Sequence, residues 1–173
     1  MSTILNIETA TKVCSVAIAK DGILMSLKEN NNDDYTHAEN LSLFIDEAIK
    51  EAGINYKSLD AVAISMGPGS YTGLRIGTST AKGICYALDI PLIAVSTLQS
   101  MSFKASSTLD MEPQTLLCPM IDARRMEVYA ALFDWENNLV REIQADIVDE
   151  TTYSEYLKNP VVFFGDGAAK CRE

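Results

Sequence analysis

The sequence predicts an α/β protein of two related lobes, each in β-β-β-α-β order. Short β-type runs alternate with stretches of helical period, the order of elements recurs, and an acid closes the first strand of each copy, Glu8 and then Asp122. A shift of 114 residues lays Ile7 on Ile121, Glu8 on Asp122, Ala17 on Ala131 and Ile18 on Leu132. The expected lobes are residues 1–108 and 109–173, the second incomplete at its C-terminal end.

Residues 4–8, 14–19 and 22–27 read as a three-strand meander. Over 38–52 the period becomes helical, with Leu41, Phe44, Ile45, Ala48, Ile49 and Ala52 on one face. Thr36 and Glu39 have the spacing of a capping box, and Gly53 stands where a left-handed residue ends the helix. A buried strand at 61–66, a glycine-rich turn, a helix at 74–88, a strand at 91–95 and a helix from about Thr97 follow. The second lobe repeats the meander at 116–121, 128–133 and 139–143, with Asn137-Asn138 at a turn. A short helix at 152–157 then leads to a strand at 161–164. A further helix is expected to begin after Gly165-Asp166-Gly167, and the chain ends one turn into it.

With 173 residues and 47% apolar side chains, the chain has the material for a folded core. The longest charge-free windows, 61–74 and 90–103, fall short of the roughly 20 residues a membrane span needs. The N-terminus has no basic region or cleavage site of a signal peptide. Cys14, Cys85, Cys118 and Cys171 show no CxxC and no zinc spacing, the pattern of reduced thiols in a cytoplasmic protein. A net charge of −10 disfavours strong direct binding to phosphate backbones, and a single histidine, His37, leaves little for a His-rich metal site. His37, at the entry to the first helix, reads as a capping or surface residue.

The most distinctive stretch is Gly67-Pro68-Gly69-Ser70-Tyr71-Thr72-Gly73-Leu74-Arg75-Ile76-Gly77. It runs from strand through glycine turn into helix, a context that can present backbone N–H groups to an anion. It is neither a Walker loop nor a dinucleotide fingerprint, and a tight structural turn accounts for the glycines equally well. The following helix carries two apolar stripes, one of Leu74, Gly77, Ala81, Ile84, Cys85 and Leu88, the other of Ile76, Thr80, Gly83 and Ala87. Small residues at Gly73, Gly77 and Ala81 allow close approach of a neighbour. Such a helix is buried on two sides, either inside its own lobe or with one face against a partner; Gly73, Ile76, Gly77, Thr80, Gly83 and Ala87 are the candidate partner surface.

Glu8-Thr9-Ala10-Thr11 and Asp122-Ala123-Arg124-Arg125 occupy matching turns, and paired acids there can flank a metal–phosphate site. Together with the Gly165-Asp166-Gly167 turn, the arrangement resembles the class of actin, the heat-shock chaperone ATPases and the sugar kinases. That resemblance implies a nucleotide site at Glu8, Thr9, Thr11, Asp122, Gly165, Asp166 and Gly167. Glu8 in place of an aspartate and Ala10 in place of a glycine mark the site as vestigial, with weak or no ATP binding. A Ser/His/Asp or Cys protease would have to use His37, and no G-x-S-x-G elbow is present.

Residues 3–15, the block from Gly67 to Gly77, residues 91–97 and the Gly165-Asp166-Gly167 turn resemble the non-catalytic TsaB family of the tRNA threonylcarbamoyladenosine machinery, once filed as "glycoproteases". The resemblance covers nearly the whole chain. It implies a scaffold subunit with no catalytic residue, metal or cofactor of its own, docking the catalytic paralogue TsaD and working with the ATPase TsaE, and the helices at 38–52 and 74–88 are the expected docking elements. It further implies a homodimer in isolation and tRNA held only indirectly, through the complex. Thr97 and Met101 stand where the catalytic paralogue carries a histidine pair for its metal, and neither replaces a histidine as ligand. A glycoprotease-type endopeptidase and an ATP-dependent phosphotransferase of the sugar-kinase class are the alternatives.

Overall fold

The computed structural model describes residues 1–30 and 37–171, without the side chains of residues 37–39. The expected Thr36–Glu39 capping box and the role of His37 lie outside what is described. Contacts divide the chain into Met1–Val95 and Ser96–Glu173.

In the first unit, β1 (Thr3–Glu8) and β2 (Cys14–Lys20) alternate buried and half-buried residues, as strands with one face on a core must. β3 (Ile23–Asn30) completes the meander through the Asp21-Gly22 turn, where both residues take positive φ. The sheet order is β3-β2-β1-β4-β5, with β4 (Ala61–Ser65) and β5 (Leu92–Val95) parallel to their neighbours. Parallel pairing requires crossovers, supplied by α1 (His37–Glu51) and α2 (Tyr71–Leu88). Leu5, Ile7, Val16 and Ile18 pack with Leu41, Ile45 and Ala48 of α1 and with Ala81 and Cys85 of α2. Gly53 has φ +67° and follows α1, as expected.

The second unit begins with α3 (Thr97–Thr108) and continues through β6 (Leu116–Asp122), β7 (Glu127–Phe133), β8 (Leu139–Ile147) and β9 (Val161–Phe164). Its order, β8-β7-β6-β9, repeats the first four positions of the other sheet. Leu98 and Ala105 of α3 pack with Leu117, Ile121, Ala131 and Phe133, so α3 shares the core of the second unit. The division therefore falls at 95/96, ahead of α3, where the sequence suggested 108/109.

Three local expectations are corrected. Residues 152–157 form a succession of turns, with Ser154 N–H donating to Thr151 O (3.0 Å) and Tyr156 N–H to Tyr153 O (2.9 Å). The Thr151 and Thr152 hydroxyls both donate to the Asp149 carboxylate, a local bonding pattern that competes with a helix. After Gly167 the described residues make a 3-10 turn over Ala169–Cys171 in place of an α-helical one. The 114-residue correspondence holds to the end of the first strands and then slips: Glu8 pairs with Ser15 but Asp122 with Val128, a connection one residue shorter. Ala17, paired with Asn6, therefore corresponds to Ala130, paired with Met120.

A bulge in β8 has a further consequence. Leu132 pairs with Arg141 and Ala130 with Gln144, so an extra β8 residue lies between the pairs and Arg141, Gln144 and Asp146 share one face. Arg141 clasps Asp146 with two hydrogen bonds (2.7 and 2.6 Å) and Gln144 with a third (2.9 Å), and Tyr153 donates to Asp146 at 2.8 Å. Burial pushes Asp146 up, yet the Arg141 and Tyr153 hydrogen bonds outweigh it and hold the carboxyl below its ordinary range.

Candidate functional site

The turn after β1 is closed by its own residues together with Ser65 and Ser70. Glu8 Oε1 accepts the Ala10 N–H at 2.6 Å, and Oε2 accepts the Ser65 hydroxyl at the end of β4. Ala10 O accepts the Ser70 N–H at 2.6 Å, fastening the glycine turn to the β1–β2 connection. A Cβ at Gly69 would run into the Ala10 carbonyl, which accounts for this glycine. Ser70 Oγ then accepts the Gly73 N–H at 3.2 Å, capping α2 at Tyr71, three residues earlier than hydrophobic period alone places its start. Thr11 Oγ1 accepts the Val13 N–H at 3.3 Å. The Gly67-Pro68 bond within this turn is cis.

The two stripes of α2 separate cleanly. Gly73, Gly77, Ala81 and Cys85 form its buried row. A Cβ at Gly77 would meet Thr9 Oγ1 and, at 2.9 Å, Ile64 Cδ1; Thr9 itself is fully buried with its hydroxyl unpartnered. Gly73 and Gly77, expected on a partner surface, are thus committed to their own unit. Ile76 and Thr80 are half-buried, Gly83 and Ala87 are exposed, and a Cβ at Gly83 would touch nothing within 4 Å. Tyr86 stands out at 92% exposure. Thr72 is exposed, as are Tyr71 and Arg75, whose guanidinium lies 5.3 Å over the Tyr71 ring.

The turn after β6 is closed by charge. Asp122 Oδ1 accepts the Arg124 N–H at 2.7 Å and a proton of Lys170 Nζ, which also donates to Glu127 O at 2.7 Å. The Lys170 hydrogen bond, aided by the Arg124 N–H, keeps the Asp122 carboxyl below its ordinary range. Asp166 Oδ1 accepts the Asp122 N–H at 3.0 Å. Gly165, at φ +103°, leaves no room for a Cβ beside Met120 O, and the Met101 methyl closes the same spot. A Cβ at Gly167 would lie 2.9 Å from the Ile121 carbonyl carbon.

The acid of each proposed phosphate turn is therefore already hydrogen-bonded within the protein, whereas the buried Thr9 hydroxyl has no partner. Thr97 is buried with an unpartnered hydroxyl, and among the described residues no group of three or more His, Cys, Asp or Glu is placed to hold a metal. Ser65 and Lys170, which hold the two acids, escaped sequence reasoning: each lies far along the chain from its partner, beside a motif rather than in it. No helix of the described residues is long and apolar enough to cross a membrane.

The family described as "TsaD: tRNA N6-adenosine threonylcarbamoyltransferase" matches residues 33–170. The tRNA threonylcarbamoyladenosine biosynthesis protein TsaB of Bacillus subtilis is 30% identical over 94% of this chain and 70% of that protein. The TsaB of Haemophilus influenzae is 34% identical over 73% of this chain and 52% of its own length. The chain thus spans between about half and 70% of these relatives. Among solved structures, YeaZ from Pseudomonas aeruginosa superposes with a TM-score of 0.68 at 30% identity, covering 84% of this chain and 64% of that one. The chain belongs to the TsaB (YeaZ) family, within the wider group that the TsaD family description covers.

Proposed function

We propose that this chain is a non-catalytic scaffold subunit in tRNA threonylcarbamoyladenosine modification, a cytoplasmic protein that docks and activates a TsaD-type catalytic paralogue. The relatives named for this pathway support the assignment, and the outer face of α2 is the observation that carries the docking role. Ile76, Thr80, Gly83 and Ala87 offer a shallow, small-residue surface on which a partner helix can approach closely, with Tyr86 as an exposed aromatic anchor beside it. An ATPase of the TsaE type is a further partner, and two copies pair through the same surface when the paralogue is absent. The chemistry belongs to the partner: Glu8 and Asp122 are already bonded to other groups of this chain, which favours weak or no ATP binding by it.

Reconstitution tests this role. Unmodified ANN-decoding tRNA, threonylcarbamoyl-adenylate and the TsaD and TsaE subunits should yield modified adenosine only when this chain is added. Full modification without it contradicts the proposal, as does micromolar Mg-ATP binding by the isolated chain that Glu8→Ala abolishes.

A further inference from the structure

Three hairpin connections in this chain turn on left-handed residues. β2–β3 uses Asp21 (φ 50°) and Gly22 (φ 80°), and β7–β8 uses Asn137 (φ 66°), residue types that accept this backbone at little cost. β6–β7 instead places two arginines there, Arg124 at φ 73° and Arg125 at φ 49°. The surrounding bonds enforce the shape: Asp122 Oδ1 takes the Arg124 N–H, Ala123 N–H donates to Glu127 O (3.1 Å), and Glu127 N–H donates to Arg124 O (3.1 Å). Val148 N–H, just past the end of β8, donates to Met126 O at 3.0 Å.

The short connection explains the left-handed backbone but not the arginines, since asparagine or glycine would meet the same geometry with less strain. A residue choice that violates local preference on an over-determined turn is a mark of function. Both arginines are exposed, and neither guanidinium forms a hydrogen bond or ion pair with the described residues. The carboxylate at the base of the turn, Asp122, is already paired with Lys170. The tip thus presents two exposed guanidinium groups, without hydrogen-bond or ion-pair partners among the described residues, on a backbone turn fixed by its own hydrogen bonds, in a chain whose net charge is −10.

We propose that the β6–β7 tip is a phosphate contact for RNA, with Arg124 and Arg125 gripping backbone phosphates of the tRNA on which the assembled complex acts. This rests on the function proposed above and adds a direct contact to a chain otherwise expected to reach tRNA only through its partners. A guanidinium fork matches a phosphate bidentately, and a backbone turn already fixed by its hydrogen bonds adds no backbone ordering cost to the contact. The hairpin tip, whose exposed apolar surface is the Met126 side chain, offers too little area to seat a protein, which favours RNA over an acidic partner.

The test is tRNA binding by the complex of this chain with its TsaD-type partner, measured across a salt series with an unmodified transcript. The double variant Arg124→Asn/Arg125→Asn should keep or raise the melting temperature, because asparagine tolerates the backbone better, and should leave assembly intact. Affinity for tRNA should fall roughly tenfold near 0.1 M salt, with the log–log salt slope shallower by about 1 to 2. Arg124→Lys/Arg125→Lys should retain most of the slope. Unchanged affinity and slope in the asparagine variant would overturn the proposal, and so would loss of partner assembly with tRNA binding spared, which would make the tip a protein contact. If the wild-type complex binds no tRNA at all, the proposed function falls, and this contact with it.

Discussion

At the end of β1, Glu8 is held by neutral donors, the Ala10 N–H and the Ser65 hydroxyl, and the neighbouring glycine turn is locked by steric fit against Ala10. At the end of β6, Asp122 is held by the Lys170 ammonium, and the connection to the next strand is one residue shorter. The same strand order thus closes its first turn by packing in one unit and by charge in the other. The longer connection needs no left-handed residue, whereas the shorter one takes two. The two units share the sheet order and differ in the turns.

That contrast can be broken at its strongest point first. Asp146→Ala strands the Arg141 guanidinium in the second unit and should cost about 3 to 5 kcal/mol in urea unfolding. The corresponding pH effect follows from the depressed folded value of Asp146. Its stabilisation is complete above the unfolded carboxyl value near pH ~4 and is lost as pH falls through the lower folded value. Near-UV circular dichroism in acid should therefore show the second unit loosening before the first.

Next in size is Gly77→Leu, which drives a side chain into Thr9 and Ile64 and should cost about 3 kcal/mol in thermal unfolding. Gly83→Leu, with open space around it, should keep the fold and gain up to about 1 kcal/mol from helix propensity. Gly165→Ala, at a left-handed position against Met120 O, should cost about 2 kcal/mol. The smallest pair sharpens the comparison directly. Ser65→Ala should cost about 1 kcal/mol at any ionic strength. Lys170→Met should cost under about 1 kcal/mol, an effect that fades as salt is raised because Asp122 is half exposed.

The sheets were legible in the sequence because alternation in residues 3–8 and 14–20 and the helical stripe from Leu41 to Ala52 report burial directly. The inward role of Gly73 and Gly77 was not, because a small residue on a helix reads alike whether a neighbour's side chain or a partner lies against it. Thr9, which fills the space beside Gly77, is remote in sequence. Thr152–Leu157 misled because its apolar spacing suits a helix, while Asp149 captures the hydroxyls that follow it. The β8 bulge that turns Arg141 toward Asp146 has no sequence signature at all. Asp122 was visible as an acid at a strand end, but its tether, Lys170, was not. Nor was the strained backbone of Arg124 and Arg125, which depends on a connection length that only the pairing register reveals.

The claim that this chain holds a catalytic partner through the outer face of α2 is tested most directly by light scattering of mixtures with a TsaD-type subunit. Wild-type chain should form a defined complex, and Gly83→Leu, verified as folded by its circular dichroism and melting temperature, should not. Absence of complex with the wild type, or an undiminished complex with folded Gly83→Leu, would contradict the account.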